Sequence, residues 1–168
     1  MISTYNDVLR RLRFALNLRD TAVVDILGNA GYRCGIPEVV SLMKKEEDPG
    51  FEACSDYKLA LFLDGLIIDR RGRREGAPAP QTDANIRLSN NIILKKLRIA
   101  FEFKDEDMLA VFELGDKKVS KPELSAFFRK AGHHNYKDCG DQYLRAFLRG
   151  IIRKFRPDSP AETNAANP

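Results

Sequence analysis

The chain has 168 residues, of which 31% are charged and 43% apolar, with 28 basic against 24 acidic side chains and a net charge of +4. That is enough apolar material for a packed core, and no run approaches the roughly 18 uncharged apolar residues of a membrane span. Residues 1–7 lack a basic stretch followed by an apolar one, so no signal peptide is expected, and three cysteines (Cys34, Cys54, Cys139) cannot all pair, which suits free thiols in a reducing, cytoplasmic compartment.

A first helix is predicted over residues 4–18, where Val8, Leu9, Leu12, Ala15 and Leu16 recur at helical spacing. Asp20 reads as the N-cap of a second helix that turns Val23, Val24, Ile26 and Leu27 inward. A glycine-bearing loop over residues 28–35 leads to a third helix with Pro37 in its first turn, where a missing N–H removes no helical bond. The fourth has the cleanest period: Leu59, Phe62, Leu63, Leu66 and Ile67 fall at i, i+3, i+4, i+7 and i+8. Residues 72–89 then contain Gly76-Ala77-Pro78-Ala79-Pro80, which no helix interior tolerates, and read as a linker.

From residue 90 the pattern starts again. Shifted by 85, residues 6–71 match residues 91–156 without a gap, and seventeen of the 66 positions are identical, where ordinary composition gives about four by chance. The shared residues include Asn6/Asn91, Arg13/Arg98, Asp20/Asp105, Glu38/Glu123, Cys54/Cys139, Asp56/Asp141 and Gly65/Gly150. In the second copy the third helix opens on Ser120-Lys121-Pro122-Glu123, a capping box, and the fourth carries Leu144, Phe147, Leu148, Ile151 and Ile152. No segment alternates as a strand. The expected fold is all-α, a tandem duplication of a four-helix unit: unit one at 1–71, a linker at 72–89, unit two at 90–156, and a polar, proline-containing tail at 157–168 that should be disordered.

The segments Asn-Asn-Ile-Ile-Leu-Lys-Lys-Leu-Arg-Ile-Ala-Phe (90–101), Cys-Gly-Asp-Gln-Tyr-Leu-Arg-Ala-Phe-Leu-Arg-Gly (139–150) and Phe-Leu-Asp-Gly-Leu-Ile (62–67) resemble the YehS-like family. The resemblance extends over residues 6–156. It implies a bacterial origin and two copies of a domain of unknown function, and it brings no activity, ligand or catalytic residue.

The chemistry must therefore be read from the side chains. There is no GxSxG, GxxxxGK[ST], HExxH or GxGxxG, so the chain is expected not to be an enzyme and to need no cofactor. His133, His134 and Cys139 supply at most three metal ligands where structural zinc takes four, and no metal is expected. Two adjacent histidines on a regular element would point apart, and the ordinary reading is a solvated loop. Asp20/Asp105 and Asp56/Asp141 read as helix caps, Glu38/Glu123 as the third-position partner of a capping arrangement, and Cys54/Cys139 as buried filler. Asn6/Asn91 and Arg13/Arg98 lie on one flank of the first helix, where the arginine either ties helix starts together through a shared aspartate or reads an anionic group.

The copies differ most in charge. Unit one carries 10 basic and 11 acidic residues, unit two 15 and 9. In unit two Arg145, Arg149, Arg153 and Arg156 follow an i, i+4, i+8, i+11 spacing on the face away from Leu144, Phe147 and Leu148, a ridge about 16 Å long. Unit one has Ala60, Asp64, Ile68 and Arg71 there, and with Leu61 its outer face is apolar, as if covered. Lys117, Lys118 and Lys121 extend the basic surface, and Arg70–Arg74 reads as a mobile cluster at the linker. Such a ridge is either solvated surface or a binding face for nucleic acid, a ribonucleoprotein or an acidic protein surface. The alternative function is a protein–protein adaptor or a self-associating module that uses the apolar back of unit one. A second apolar side on the first helix of unit two (Ile92, Ile99, Phe103) is expected to bury against the other unit or a second chain.

Overall fold

The computed structural model describes residues 5–73, 75, 76, 78 and 81–159. Residues 160–168, most of the segment expected to be disordered, lie outside them, as do Arg74 and parts of the linker. The described residues form eight helices and no strand. Unit one supplies α1 (Tyr5–Leu16), α2 (Asp20–Asn29), α3 (Ile36–Leu42) and α4 (Asp56–Arg71). Unit two repeats them as α5 (Asn90–Phe101), α6 (Asp105–Leu114), α7 (Lys121–Phe127) and α8 (Asp141–Phe155). The fold is an all-α duplication.

Equivalent residues perform equivalent local tasks. α1 and α5 end at Asn17 and Glu102, both in the left-handed region with φ of 52° and 54°. The chain then turns back so that Leu18 and Phe103 donate to the carbonyls of Arg13 and Arg98. Arg13 and Arg98 pair with Asp20 and Asp105 at 2.8 and 2.7 Å, the structural alternative for those arginines. Asp20 and Asp105 are each the first residue of their helix, behind cap positions Arg19 and Lys104, so they tie α1 to α2 and α5 to α6 in place of capping. At α4 the cap is Ser55, whose hydroxyl accepts from the Lys58 N–H, while Gly140 precedes α8. Asp56 and Asp141 instead accept side-chain bonds from Tyr5 and Asn90, an equivalent pair, and Asp56 also takes the Leu88 N–H at 2.9 Å. The starts of α1, α4, α5 and α8 therefore meet in one cluster.

Packing departs from two side-by-side bundles. α2 lies on α4 and α6 on α8 at close range, because Gly65 and Gly150 face the carbonyls of Ile26 and Val111, where a Cβ would collide with backbone. α1, however, packs mainly along α8 and α5 mainly along α4, with only light contact inside their own unit. The first helices are exchanged between the copies, so both units share one core in which Leu59, Phe62, Phe112, Phe127, Leu144 and Phe147 are fully buried. Each such side chain contributes about 1.5–3 kcal/mol. α4, expected to show an apolar outer face, is covered there by α5: Ala60 and Leu61 are buried. Ile92 and Ile99 on α5 are half-buried, and so is Phe103 just after it, which stacks on Phe101 under Lys154 of its own unit.

Candidate functional site

Two shared polar sets turn out to hold the scaffold. Asn6 donates to the carbonyls of Leu42 and Glu52 and accepts from the Cys54 N–H; Asn91 does the same with Phe127, Lys137 and Cys139, each partner 85 residues on. Asn6 is fully buried and Asn91 nearly so, and each satisfies the last carbonyl of the third helix of its unit and two groups of the loop that follows. Glu38 and Glu123 sit in a permuted cluster. Glu38 takes Tyr32 and Lys58, Glu123 takes Tyr143 and Lys137, and Lys117 lies 4.6 Å over the Tyr143 ring where unit one has Lys58 over Tyr32. Burial resists charging Glu38, yet hydrogen bonds from Lys58 and Tyr32 hold its carboxyl below the usual range; Lys137 does the same for Glu123. Ser120 also caps α7 through the Glu123 N–H, as its motif predicts.

No nucleophile emerges from the shared residues. Burial pushes the thiols of Cys54 and Cys139 up to about 12, so both stay protonated. His133 and His134 lie exposed in a turn and stack on each other at 4.4 Å; off a regular element, adjacent rings need not diverge. Among the described residues no three His, Cys, Asp or Glu side chains group as a metal site.

The arginine ridge of α8 is not an open outer face. α6 flanks α8 on the Ala146/Gly150 side and α1 runs along another, so the ridge lies in the groove between them. Arg153 turns to the Leu114 carbonyl and to Asp116 at 2.8 Å. Arg156 bonds the Phe14 carbonyl of α1 at 3.2 Å and lies 4.3 Å over the Phe14 ring. Both are occupied with the fold. Arg145 and Arg149 differ: each is half-buried, and each Nε is enclosed with no hydrogen-bond partner among the described residues. A buried guanidinium donor without an acceptor is costly, and the cost falls when an anion supplies one.

Lys118 and Lys121 are exposed, and Lys117 is committed to Tyr143. The linker cluster, expected to be mobile, is tied down where it is described. Arg70 lies over Phe101 and Phe155, Arg71 pairs with Glu102 at 3.4 Å, and Arg73 donates to the Asn29 carbonyl.

One functional candidate escapes a reading of single helices. Arg11, on α1, is only 5% exposed, and its Nε donates to Asp7 at 3.0 Å. Its equivalent in unit two is Lys96, which meets Asp64 across the α4–α5 contact at 2.5 Å. Asp64 is the equivalent of Arg149. The signal in the sequence is a reversal of charge at one position, Asp64 to Arg149, opposite a position that is basic in both copies, and only the exchanged packing brings the two together.

In unit one the linker reaches the same groove. α4 and α5 run parallel, with Asp56 beside Leu88 at their starts and Arg71 beside Glu102 at their ends, so the linker must return along them. On the way Thr82 donates to Asp64 at 2.7 Å.

No solved structure matches the chain. It is 42% identical over 149 residues to the uncharacterized protein YehS of Escherichia coli strain K12, an alignment covering 89% of this chain and 94% of the relative. The family model described as "protein of unknown function (DUF1456)" matches residues 5–72 and again 90–156, and the chain belongs to that family.

Proposed function

We propose that the protein is a non-enzymatic binding module that engages an anionic partner, nucleic acid or a ribonucleoprotein, through its basic second unit. The observation that carries this reading is the pair Arg145 and Arg149, two guanidinium groups held in a groove with buried Nε atoms and no acceptor among the described residues. Arginines in a row match phosphates because the planar fork donates to two oxygens at once. The protonated thiols, the exposed histidines and the scaffolding roles of Asn6 and Asn91 support a binding role over a catalytic one. An adaptor would have used the apolar side of α4, and that side is taken by α5.

Fluorescence anisotropy with labelled single- and double-stranded RNA and DNA at several salt concentrations tests the proposal. Wild-type protein should bind at low salt and weaken steeply as salt rises, with the slope falling by about one logarithmic unit for each phosphate contact removed. A protein that binds none of these strands at low salt is not a nucleic-acid-binding module.

A further inference from the structure

The groove of α8 supports a more specific statement, which rests on the reading above. We infer that the crossing of α1 over α8 is a phosphate site built from Arg11, Arg145 and Arg149, and that it is unit two's counterpart of the linker groove of unit one.

Unit one shows how this position in the fold can be satisfied by the protein itself. There the charged side chain of the last helix, Asp64, is 14% exposed and fully engaged: Lys96 approaches from the partner helix and Thr82 from the linker. A cation, a carboxylate and a hydroxyl neutralise and saturate one another. In unit two the exchanged packing sets α1 along α8 as α5 lies along α4, and the Arg156–Phe14 bond fixes the same parallel arrangement. The equivalents of Lys96 and Asp64 are Arg11 and Arg149, and one turn before Arg149 stands Arg145 where unit one has Ala60. The acid–base pair of one copy is replaced by guanidinium groups alone.

The carboxylates at hand offset them only in part: Asp116 lies near enough to Arg149 for their charges to attract, but accepts its hydrogen bond from Arg153 instead. Asp7 serves both Arg10 and Arg11. The Nε atoms of Arg145 and Arg149 are shut off from solvent with no hydrogen-bond partner among the described residues, and Arg11 keeps its Nη groups beyond the single Nε bond to Asp7. Half-buried like charges raise each other's cost, so an anion of high charge among them lowers it. A phosphate group, with several acceptor oxygens and up to two charges, meets three guanidinium forks better than one carboxylate does. The group can belong to a free phosphate compound or to a nucleic-acid backbone, and the chemistry is the same.

The test uses the full chain with two probes, sodium pyrophosphate by isothermal titration and a labelled single-stranded RNA by anisotropy, at matched ionic strength. Each probe is run on wild type, on R145Q/R149Q and on R11M, with circular dichroism to show that each variant is folded. Saturable binding of either probe by wild type, lost at least tenfold in both variants, is expected. Pyrophosphate bound at these arginines without RNA keeps the site and removes the nucleic-acid reading. RNA bound equally by wild type and variants removes the site and keeps the nucleic-acid reading. Neither probe bound, or pyrophosphate bound equally by all three proteins, overturns the site.

Discussion

Along α4, the groove beside α5 receives Thr82 of the protein's own linker and carries a neutral set, Asp64 with Lys96 and Thr82. Along α8, the groove beside α1 has the same helix geometry and receives Arg145 and Arg149 with no acceptor among the described residues. The two surfaces descend from one duplicated unit, and the difference separates what the fold needs from what has been added. Asn6/Asn91, Arg13/Arg98 and Gly65/Gly150 are identical in both copies because the loops, the turn after the first helix and the close helix crossing need them twice. The groove residues are not needed by the fold in any one form, which left one copy free to seal and the other to bind.

If the shared residues serve the fold alone, damage should be equal in the two copies. The largest effect belongs to Gly65→Val and Gly150→Val, which drive a branched side chain into the backbone of Ile26 or Val111. Either should cost about 4 kcal/mol or more, or prevent folding, read from urea unfolding. Next come Asn6→Leu and Asn91→Leu. Each leaves the N–H of Cys54 or Cys139, a helix-end carbonyl and a loop carbonyl unpaired, at about 2–4 kcal/mol. Values differing by more than about 2 kcal/mol between equivalents would break the claim that both copies are built alike.

Much of this was legible beforehand. An offset of 85 residues and a 3.6-residue period are local signals, and they place Leu59, Phe62, Leu144 and Phe147 in the core without any knowledge of neighbours. The exchange of α1 and α5 was not legible. An apolar stripe states that a helix is covered, never by which helix. For that reason the ridge at Arg145–Arg156 reads from sequence as an outer face although α1 lies beside it, and Arg11 carries no signal of its own. The caps failed more narrowly: aspartate next to a helix start suits both capping and pairing, and Asp20 and Asp56 found partners 7 and 51 residues away.

A smaller contrast tests the grooves themselves. Asp64→Ala strands the Lys96 ammonium and the Thr82 hydroxyl, and should cost about 1–2 kcal/mol in urea unfolding, whereas Arg149→Ala should leave stability unchanged or slightly raised. Equal losses would mean that Arg149 is a structural residue. Acid gives another. Glu38 and Glu123 both have carboxyls held below the ordinary value of 4.5. Their stabilisation is complete above that value and is lost as pH falls through the lower folded one. E38Q and E123Q should each flatten the fall of stability below about pH 4.5, by a small amount because both carboxyls are partly solvated.

The smallest expected change in stability is the sharpest test of the comparison. Arg149→Asp writes unit one's residue into unit two at the equivalent position, opposite Arg11 where Asp64 stands opposite Lys96. If the α1–α8 contact mirrors the α4–α5 contact, the new carboxylate takes up the guanidinium of Arg11 and relieves the crowding with Arg145. A partly buried pair of that kind contributes about 0.5–1 kcal/mol, so the variant should unfold at slightly higher urea than wild type. The same substitution removes one phosphate donor and sets a negative charge in the site, so binding of pyrophosphate and RNA should disappear from a protein that is, if anything, more stable. Gain of stability with loss of binding fits an added function placed on a surface the fold can close. A loss of more than about 1 kcal/mol would show that Arg11 and Arg149 do not face each other and that the two grooves are not equivalent.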